Sequence, residues 1–165
     1  MGFHDTEEYE RLLTVAQTRS AEAYLMVLLG GKAGLRLGEI VALEWGDVDL
    51  QARRLTVQRS DWCGQVTVPK GGRSRRLPMT QRLTSALKAS RHLRSARVFC
   101  LPDGTPTTRD RVIKAIRGAQ RVAGLSQAGV PCCGIRSVSY LAMKGAPARA
   151  IQELAGHADL STTQR

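Results

Sequence analysis

The sequence lacks several features, and each absence excludes a class of protein. No apolar run approaches the ~20 residues that a bilayer-spanning helix needs; the longest covers residues 23–29. No basic and apolar leader opens the chain, so we expect a cytoplasmic protein with no membrane partner. No Cys-x-x-Cys pair occurs, which gives no support to a metal site and predicts free thiols. Aromatic residues make up only 4% of the chain, which argues against a stacking platform for single-stranded nucleic acid.

Acidic residues are also scarce relative to basic ones. The 165 residues include 25 Lys and Arg against 14 Asp and Glu, a formal net charge of +11. An excess of this size predicts a polyanionic partner, with nucleic acid first, although a basic surface without a dedicated partner would carry the same charge. Contact with the phosphates of a duplex fits better than stacking on single strands, so we expect double-stranded DNA.

Helical spacing of apolar residues dominates the chain, and one interval alternates as strands do. The length of the chain predicts one domain over residues 1–165. Alternation between residues 48 and 79 predicts a three-stranded antiparallel meander built from RRLTVQR, QVTVP and RRLPM. We therefore expect an α+β, mostly helical fold with a small three-stranded antiparallel sheet. Helices are expected over residues 6–18, 20–29 and 39–45, and after Thr80, after Thr107 or Thr108, and from Pro147.

Arg36 lies in a turn bounded by glycines, between an apolar helix and the next helix, in the stretch AGLRLGEIVAL. A guanidinium on such a platform can hold two phosphate oxygens at once. The alternative is a surface arginine paired with Glu39 or Asp47, and the local sequence taken alone favours it.

A basic turn follows in the stretch VPKGGRSRRLP. Lys70 lies at the tip of a predicted hairpin, and Arg73, Arg75 and Arg76 flank it. Such a tip can enter a DNA groove or reach a reacting phosphate, or it can be a solvated basic turn. Arg73, Arg75 and Arg76 are therefore candidate DNA-binding residues.

Two further candidates lie near the C-terminal end of the sequence. His157 follows Gly156 at a predicted helix junction, where it could donate to a phosphate oxygen, transfer a proton or cap a helix. Arg136, in the stretch VPCCGIRSVSYLAMKG, could be a second phosphate ligand.

Taken in this order, the motifs resemble the catalytic domain of the tyrosine recombinase (phage integrase) family over essentially the whole chain. GLRLGEIVALEWGDVDL and IQELAGHADLSTTQR are the most specific parts. The resemblance implies site-specific DNA recombination or integration without a metal or other cofactor, by a tetramer on paired sites. A tyrosine attacks the scissile phosphate, leaves a 3′-phosphotyrosine, and the 5′-hydroxyl of another strand reverses the step. Arg36, Lys70 and His157 match the family's catalytic residues, with Lys70 protonating the leaving oxygen.

The sequence departs from the family pattern before and within these motifs. No N-terminal core-binding domain precedes the first helix, so we expect a monomer with weak, salt-sensitive DNA binding. Arg136 lies two residues out of the register that the family's His-x-x-Arg motif keeps with His157, so we do not assign it a catalytic role. A compensated frameshift over residues 131–138 is one hypothesis, because suitable codons read in another frame give Val-Leu-Arg-His-Thr-Phe-Cys. The alternative is a divergent loop.

The nucleophile is the third departure. The family has its tyrosine directly after the segment that resembles STTQR, whereas this sequence ends at Arg165. Tyr9, Tyr24 and Tyr140 do not occur in that context, so we expect a truncated chain without strand cleavage. The rival hypothesis is a non-catalytic basic DNA-binding module or gene remnant. An RNA-binding domain is a third, and it lacks the aromatic strand motif.

Overall fold

The computed structural model describes residues 6–69 and 71–125 of the chain, and within them helices predominate. The mostly helical α+β class is confirmed. No helix among these residues is long and apolar enough to cross a membrane. In chain order the elements are α1 (Thr6–Arg19), α2 (Ala21–Gly31), α3 (Leu37–Ala42), a 3₁₀ turn (Trp45–Asp47), β1 (Val48–Asp49), β2 (Arg54–Val57), β3 (Ser60–Trp62), β4 (Gln65–Thr67), β5 (Arg75–Pro78), α4 (Gln81–Ala89) and α5 (Arg109–Val122).

Three helices begin at a hydroxyl side chain that caps them. Ser20, Thr80 and Thr108 each accept a hydrogen bond from the backbone N–H three residues on, at 3.0, 3.2 and 3.4 Å. These bonds satisfy amide donors that the first turn of a helix leaves without partners. The expected starts of α2, α4 and α5 are confirmed, while the expected helix from Pro147 lies outside the described residues.

The core is built around α2, in which every residue from Leu25 to Gly31 is buried. Helix α1 packs Leu12 and Leu13 into the same cluster, and α5 adds Val112 and Ile116. Helix α2 is apolar almost throughout, which suits a helix buried on all sides. Helices α1 and α5 each carry a single apolar stripe at helical spacing, and they turn this stripe toward α2. The layer of α1, α2 and α5 is the support on which α3 lies.

The three-stranded antiparallel sheet has the order β1-β2-β5, and Leu55 of β2 pairs with Val48 of β1 and Leu77 of β5. One of the three strands expected in this sheet lies elsewhere. The QVTVP segment forms β4, which pairs with β3 in a separate two-stranded hairpin, and the short β1 joins the sheet instead. All three residues of β4 are exposed, so this strand has no buried face to offer the core. Leu55 and Leu77, in contrast, are buried on one face of the sheet.

Gly38 allows α3 and β3 to approach closely. A Cβ added at this position would overlap the Ser60 hydroxyl oxygen and stand 2.9 Å from the Asp61 carbonyl oxygen. Real Cβ atoms do not come this close to backbone, so a larger residue would force the two elements apart. The glycine therefore sets where the start of α3, and with it Arg36, lies relative to the hairpin.

Candidate functional site

Arg36 immediately precedes α3 and is held by the carboxylate three residues on. Its backbone N–H donates to Glu39 Oε2 at 2.8 Å, and its Nη1 lies 3.3 Å from Oε1. The pairing with Glu39 that the sequence left as an alternative is therefore present. The Arg36 side chain nevertheless keeps 30% of its surface exposed, so it is partly open to solvent while Glu39 fixes its backbone N–H and Nη1.

Asp47, the other acid that the sequence offered as a partner for Arg36, has a different partner. Its carboxylate is buried and accepts from Arg59 Nη2 at 2.9 and 2.8 Å. Glu44 also contacts Arg59, at 3.0 Å. Glu44 and Asp47, the acidic residues that follow α3, thus belong to a separate ion-pair network around Arg59.

Glu39 also forms a bidentate ion pair with Arg75. Arg75 Nη1 and Nη2 donate to the two carboxylate oxygens of Glu39 at 2.9 and 2.8 Å. Both side chains are buried, with 5% of Arg75 and 1% of Glu39 exposed. This geometry does not fit the surface DNA contact predicted for Arg75, because its donors are aimed into the protein. The signal was in the sequence: Arg75 is two residues before the buried Leu77, hence on the same face of β5.

Arg73 and Arg76 are exposed, as a DNA contact requires, and neither forms an ion pair with the residues that the structure describes. Arg73 directly follows a turn in which the Gly72 N–H donates to the Pro69 carbonyl at 2.9 Å, and Arg76 lies on β5 just beyond it. Gly71 and Gly72 have φ values of 100° and 70°, which residues other than glycine rarely adopt. The backbone conformation of this turn therefore requires the two glycines from which the sequence predicted it.

Three predicted site residues fall outside the described residues, namely Lys70, Arg136 and His157. The structure does not test their catalytic assignments, and these stay predictions. Within residues 6–69 and 71–125, no group of three or more His, Cys, Asp or Glu side chains is arranged to hold a metal ion.

Two of the three tyrosines have hydroxyls engaged in the fold. Tyr9 is buried, and its hydroxyl donates to the Val27 carbonyl at 3.0 Å. The Tyr24 hydroxyl accepts from Arg82 Nε at 2.7 Å. Two side-chain hydrogen bonds raise the pKa of Arg82, the one to Glu10 by more than the one to Tyr24. Tyr9 and Tyr24 therefore serve helix packing.

Arg109 was missed by the sequence reasoning. It is the first residue of α5, and its guanidinium carbon lies 4.1 Å from the centroid of the Trp62 ring, in a cation–π contact. Its Nη1 lies 3.4 Å from the position that a Cβ on Gly38 would occupy, beside the start of α3. No local pattern marks this residue, because the contact joins residues far apart in the chain.

Comparison with known proteins gives a consistent result. The phage integrase family matches residues 3–165. Tyrosine recombinase XerA of Thermococcus kodakarensis is 33% identical over 167 residues, which is 96% of this chain and 55% of the relative. Tyrosine recombinase XerD of Listeria innocua is 29% identical over 176 residues, covering 96% of this chain and 54% of XerD. This chain spans about half the length of the curated relatives it matches.

Solved structures share the fold. The crystal structure of XerA recombinase has a TM-score of 0.83 at 23% identity and covers 99% of this chain and 59% of XerA. The Tn1549 transposon integrase, solved in complex with a circular intermediate DNA, has a TM-score of 0.78 at 19% identity over 97% of this chain and 59% of the integrase. The tyrosine-recombinase catalytic-domain fold predicted from the sequence is confirmed.

Proposed function

Because the chain belongs to the phage integrase family of tyrosine recombinases, we propose that it supplies the phosphate-binding face of a site-specific DNA recombinase. The observation that carries the proposal is the partly exposed Arg36 side chain at the start of α3, where Glu39 accepts hydrogen bonds from both the Arg36 backbone N–H and its Nη1. Arg75 shares the charge of Glu39 through two hydrogen bonds, so two arginines match the one buried carboxylate that fixes Arg36. A fixed, partly exposed guanidinium is suited to hold a phosphate.

The chemistry of the family explains why a cation is needed at this place. Attack on a phosphodiester builds negative charge on the non-bridging oxygens, and donors fixed beforehand stabilise that charge best. In this proposal Arg36 binds those oxygens. Lys70 protonates the leaving 5′-oxygen and His157 donates to a phosphate oxygen, two roles implied by the family resemblance.

Duplex DNA is the proposed partner. The +11 charge supplies an attraction to phosphates that does not depend on sequence. Arg73 and Arg76 lie exposed beside the 69–72 turn, and we propose these two, without the buried Arg75, as backbone contacts. Assembly as a tetramer on paired sites and a cytoplasmic location both stay predictions.

We expect the 165-residue polypeptide to bind DNA without cleaving it. A nucleophilic tyrosine must bring a free hydroxyl to the phosphate. The Tyr9 hydroxyl is buried against Val27, and the Tyr24 hydroxyl is bonded to Arg82. Tyr140 does not follow the motif that precedes the nucleophile in the family. A non-catalytic DNA-binding module remains the rival to a recombinase.

The test combines binding and cleavage. The chain is titrated with fluorescent duplex DNA at several salt concentrations, and then incubated with a pool of nicked suicide duplexes of randomised sequence. Expected are salt-sensitive duplex binding and no covalent adduct on a denaturing gel. An adduct would overturn the inactivity, and tighter binding to structured RNA than to duplex DNA would overturn the partner.

The role of Arg36 is tested by Arg36→Lys, which keeps the charge and removes the planar fork. We expect duplex affinity to fall about tenfold, the order of one charged hydrogen bond. The control is Arg121→Lys, an exposed residue in the last turn of α5. Equal affinities for the two variants would contradict the role given to Arg36.

A further inference from the structure

Resting on the proposed DNA function, we propose that Arg109 binds a backbone phosphate of duplex DNA next to the phosphate bound by Arg36, and that Trp62 positions it. Arg109 belongs to none of the motifs that carry the family resemblance. It comes from α5 and Trp62 from β3, so the pair adds a contact from two elements outside the predicted site.

The first support is the state of the Arg109 charge. Several arginines of the described region have carboxylate partners, among them Arg59 with Asp47, Arg75 with Glu39, Arg82 with Glu10 and Arg97 with Asp61, while others, such as Arg73 and Arg76, have none in that region. Within the same region Arg109 has none, and its one recorded partner is the Trp62 ring. Its positive charge is therefore not neutralised by the fold, in a protein that already carries an excess of positive charge.

The second support is orientation. The guanidinium carbon lies 4.1 Å from the centroid of the Trp62 ring, and a cation–π contact of this kind uses the charge without occupying the N–H donors, which an acceptor can still reach. Trp62 is 62% exposed, which is unusual for so large an apolar side chain. An exposed tryptophan with a cation over its ring fits a binding surface better than a packing contact.

The third support is location. Arg109 Nη1 lies beside Gly38, two residues after Arg36, and Ser60 of β3 approaches the same glycine. Cross-strand pairing of Trp62 with Gln65 and of Ser60 with Thr67 puts Trp62 and Ser60 on one face of the β3–β4 hairpin. That face is the one that meets the start of α3. Arg109 therefore approaches the first turn of α3, the turn that Arg36 precedes, and a DNA strand bound at Arg36 would run close to it.

The decisive measurement is the salt dependence of duplex binding for Arg109→Gln against Arg117→Gln. Each substitution removes one positive charge from α5, at the half-buried Arg109 or at the exposed Arg117. The two positions are about 12 Å apart along the helix. We expect Arg109→Gln to weaken binding about tenfold and to reduce the slope of log K against log salt by about 0.9, the value for one phosphate contact. Arg117→Gln should leave the slope unchanged.

Two further variants separate charge from orientation. Arg109→Lys should keep the slope while losing part of the affinity, because it retains the charge without the fork. Trp62→Leu should also weaken binding at an unchanged slope, and the double variant with Arg109→Gln should bind no worse than Arg109→Gln alone. Circular dichroism and thermal melting check that each variant is folded.

The possible outcomes distinguish this contact from the proposed function. If the unsubstituted chain binds duplex DNA with the expected salt slope and Arg109→Gln does the same, the contact is wrong and the function stands. Equal losses for Arg109→Gln and Arg117→Gln would show a general charge effect and overturn the contact. If the unsubstituted chain shows no salt-sensitive duplex binding, the function and the contact fail together.

Discussion

At the scale of single residues, Glu39 is the side chain on which the candidate site depends. It is buried, and its two oxygens accept from Arg75 on β5 and from the Arg36 backbone and side chain. A buried carboxylate tolerates desolvation only when its charge is matched by such donors. The same residue therefore joins the sheet to α3 and orients Arg36.

The substitution Arg75→Gln should destabilise the protein by about 3 kcal/mol, because it removes the bidentate partner of the buried Glu39 and leaves Arg36 as its one charged partner among the described residues. Urea denaturation followed by circular dichroism measures the change. The matched control is Arg76→Gln, an exposed neighbour on the same strand, for which we expect less than about 0.5 kcal/mol.

A double variant gives a sharper test of this ion pair. Adding Glu39→Gln to Arg75→Gln removes the buried carboxylate charge that has lost its bidentate partner and should recover part of the lost stability. If Arg75→Gln costs no more than Arg76→Gln, the pair contributes nothing to stability and the explanation is wrong.

At the scale of secondary-structure elements, the sequence predicted where helices begin and which faces they bury better than it predicted which elements contact each other. The caps at Ser20, Thr80 and Thr108 and the apolar spacing of α1 and α5 depend on residues a few positions apart, and the structure confirms them. The partner of β4 could not be derived, because alternation predicts a strand without saying which strand it joins. The Arg109–Trp62 contact is equally non-local, so the sequence did not reveal it.

The approach of α3 to β3 gives a prediction at this scale. Gly38→Ala should destabilise the protein by about 1–3 kcal/mol, since the added methyl meets the Asp61 carbonyl, which cannot move away as a flexible side chain would. Thermal unfolding monitored by circular dichroism measures it. Gly46→Ala is the control, because a Cβ there meets nothing within 4 Å. A melting temperature for Gly38→Ala equal to that of Gly46→Ala would show that the two elements are not in close contact.

At the scale of the whole molecule, the +11 charge is not used evenly. The arginines at positions 59, 75, 82 and 97 are paired with carboxylates and hold elements together. Arg73, Arg76 and Arg109 have no carboxylate partner in the described part of the chain. Net charge alone predicts attraction to DNA, whereas the ion pairs exclude some arginines from providing it, and position relative to Arg36 and the 69–72 turn distinguishes among the rest.

The last prediction follows from that distribution. The double substitution Arg73→Gln and Arg76→Gln should reduce the salt slope of duplex binding by about 1.8, two contacts at about 0.9 each, with a similar loss for duplexes of any sequence. The double control Arg117→Gln and Arg121→Gln removes the same charge from exposed positions on α5, away from the 69–72 turn. Fluorescence anisotropy over a range of salt concentrations measures both slopes. Equal slopes for the two double variants would mean that DNA senses the total charge only, and the assignment of the turn as a DNA contact would be wrong.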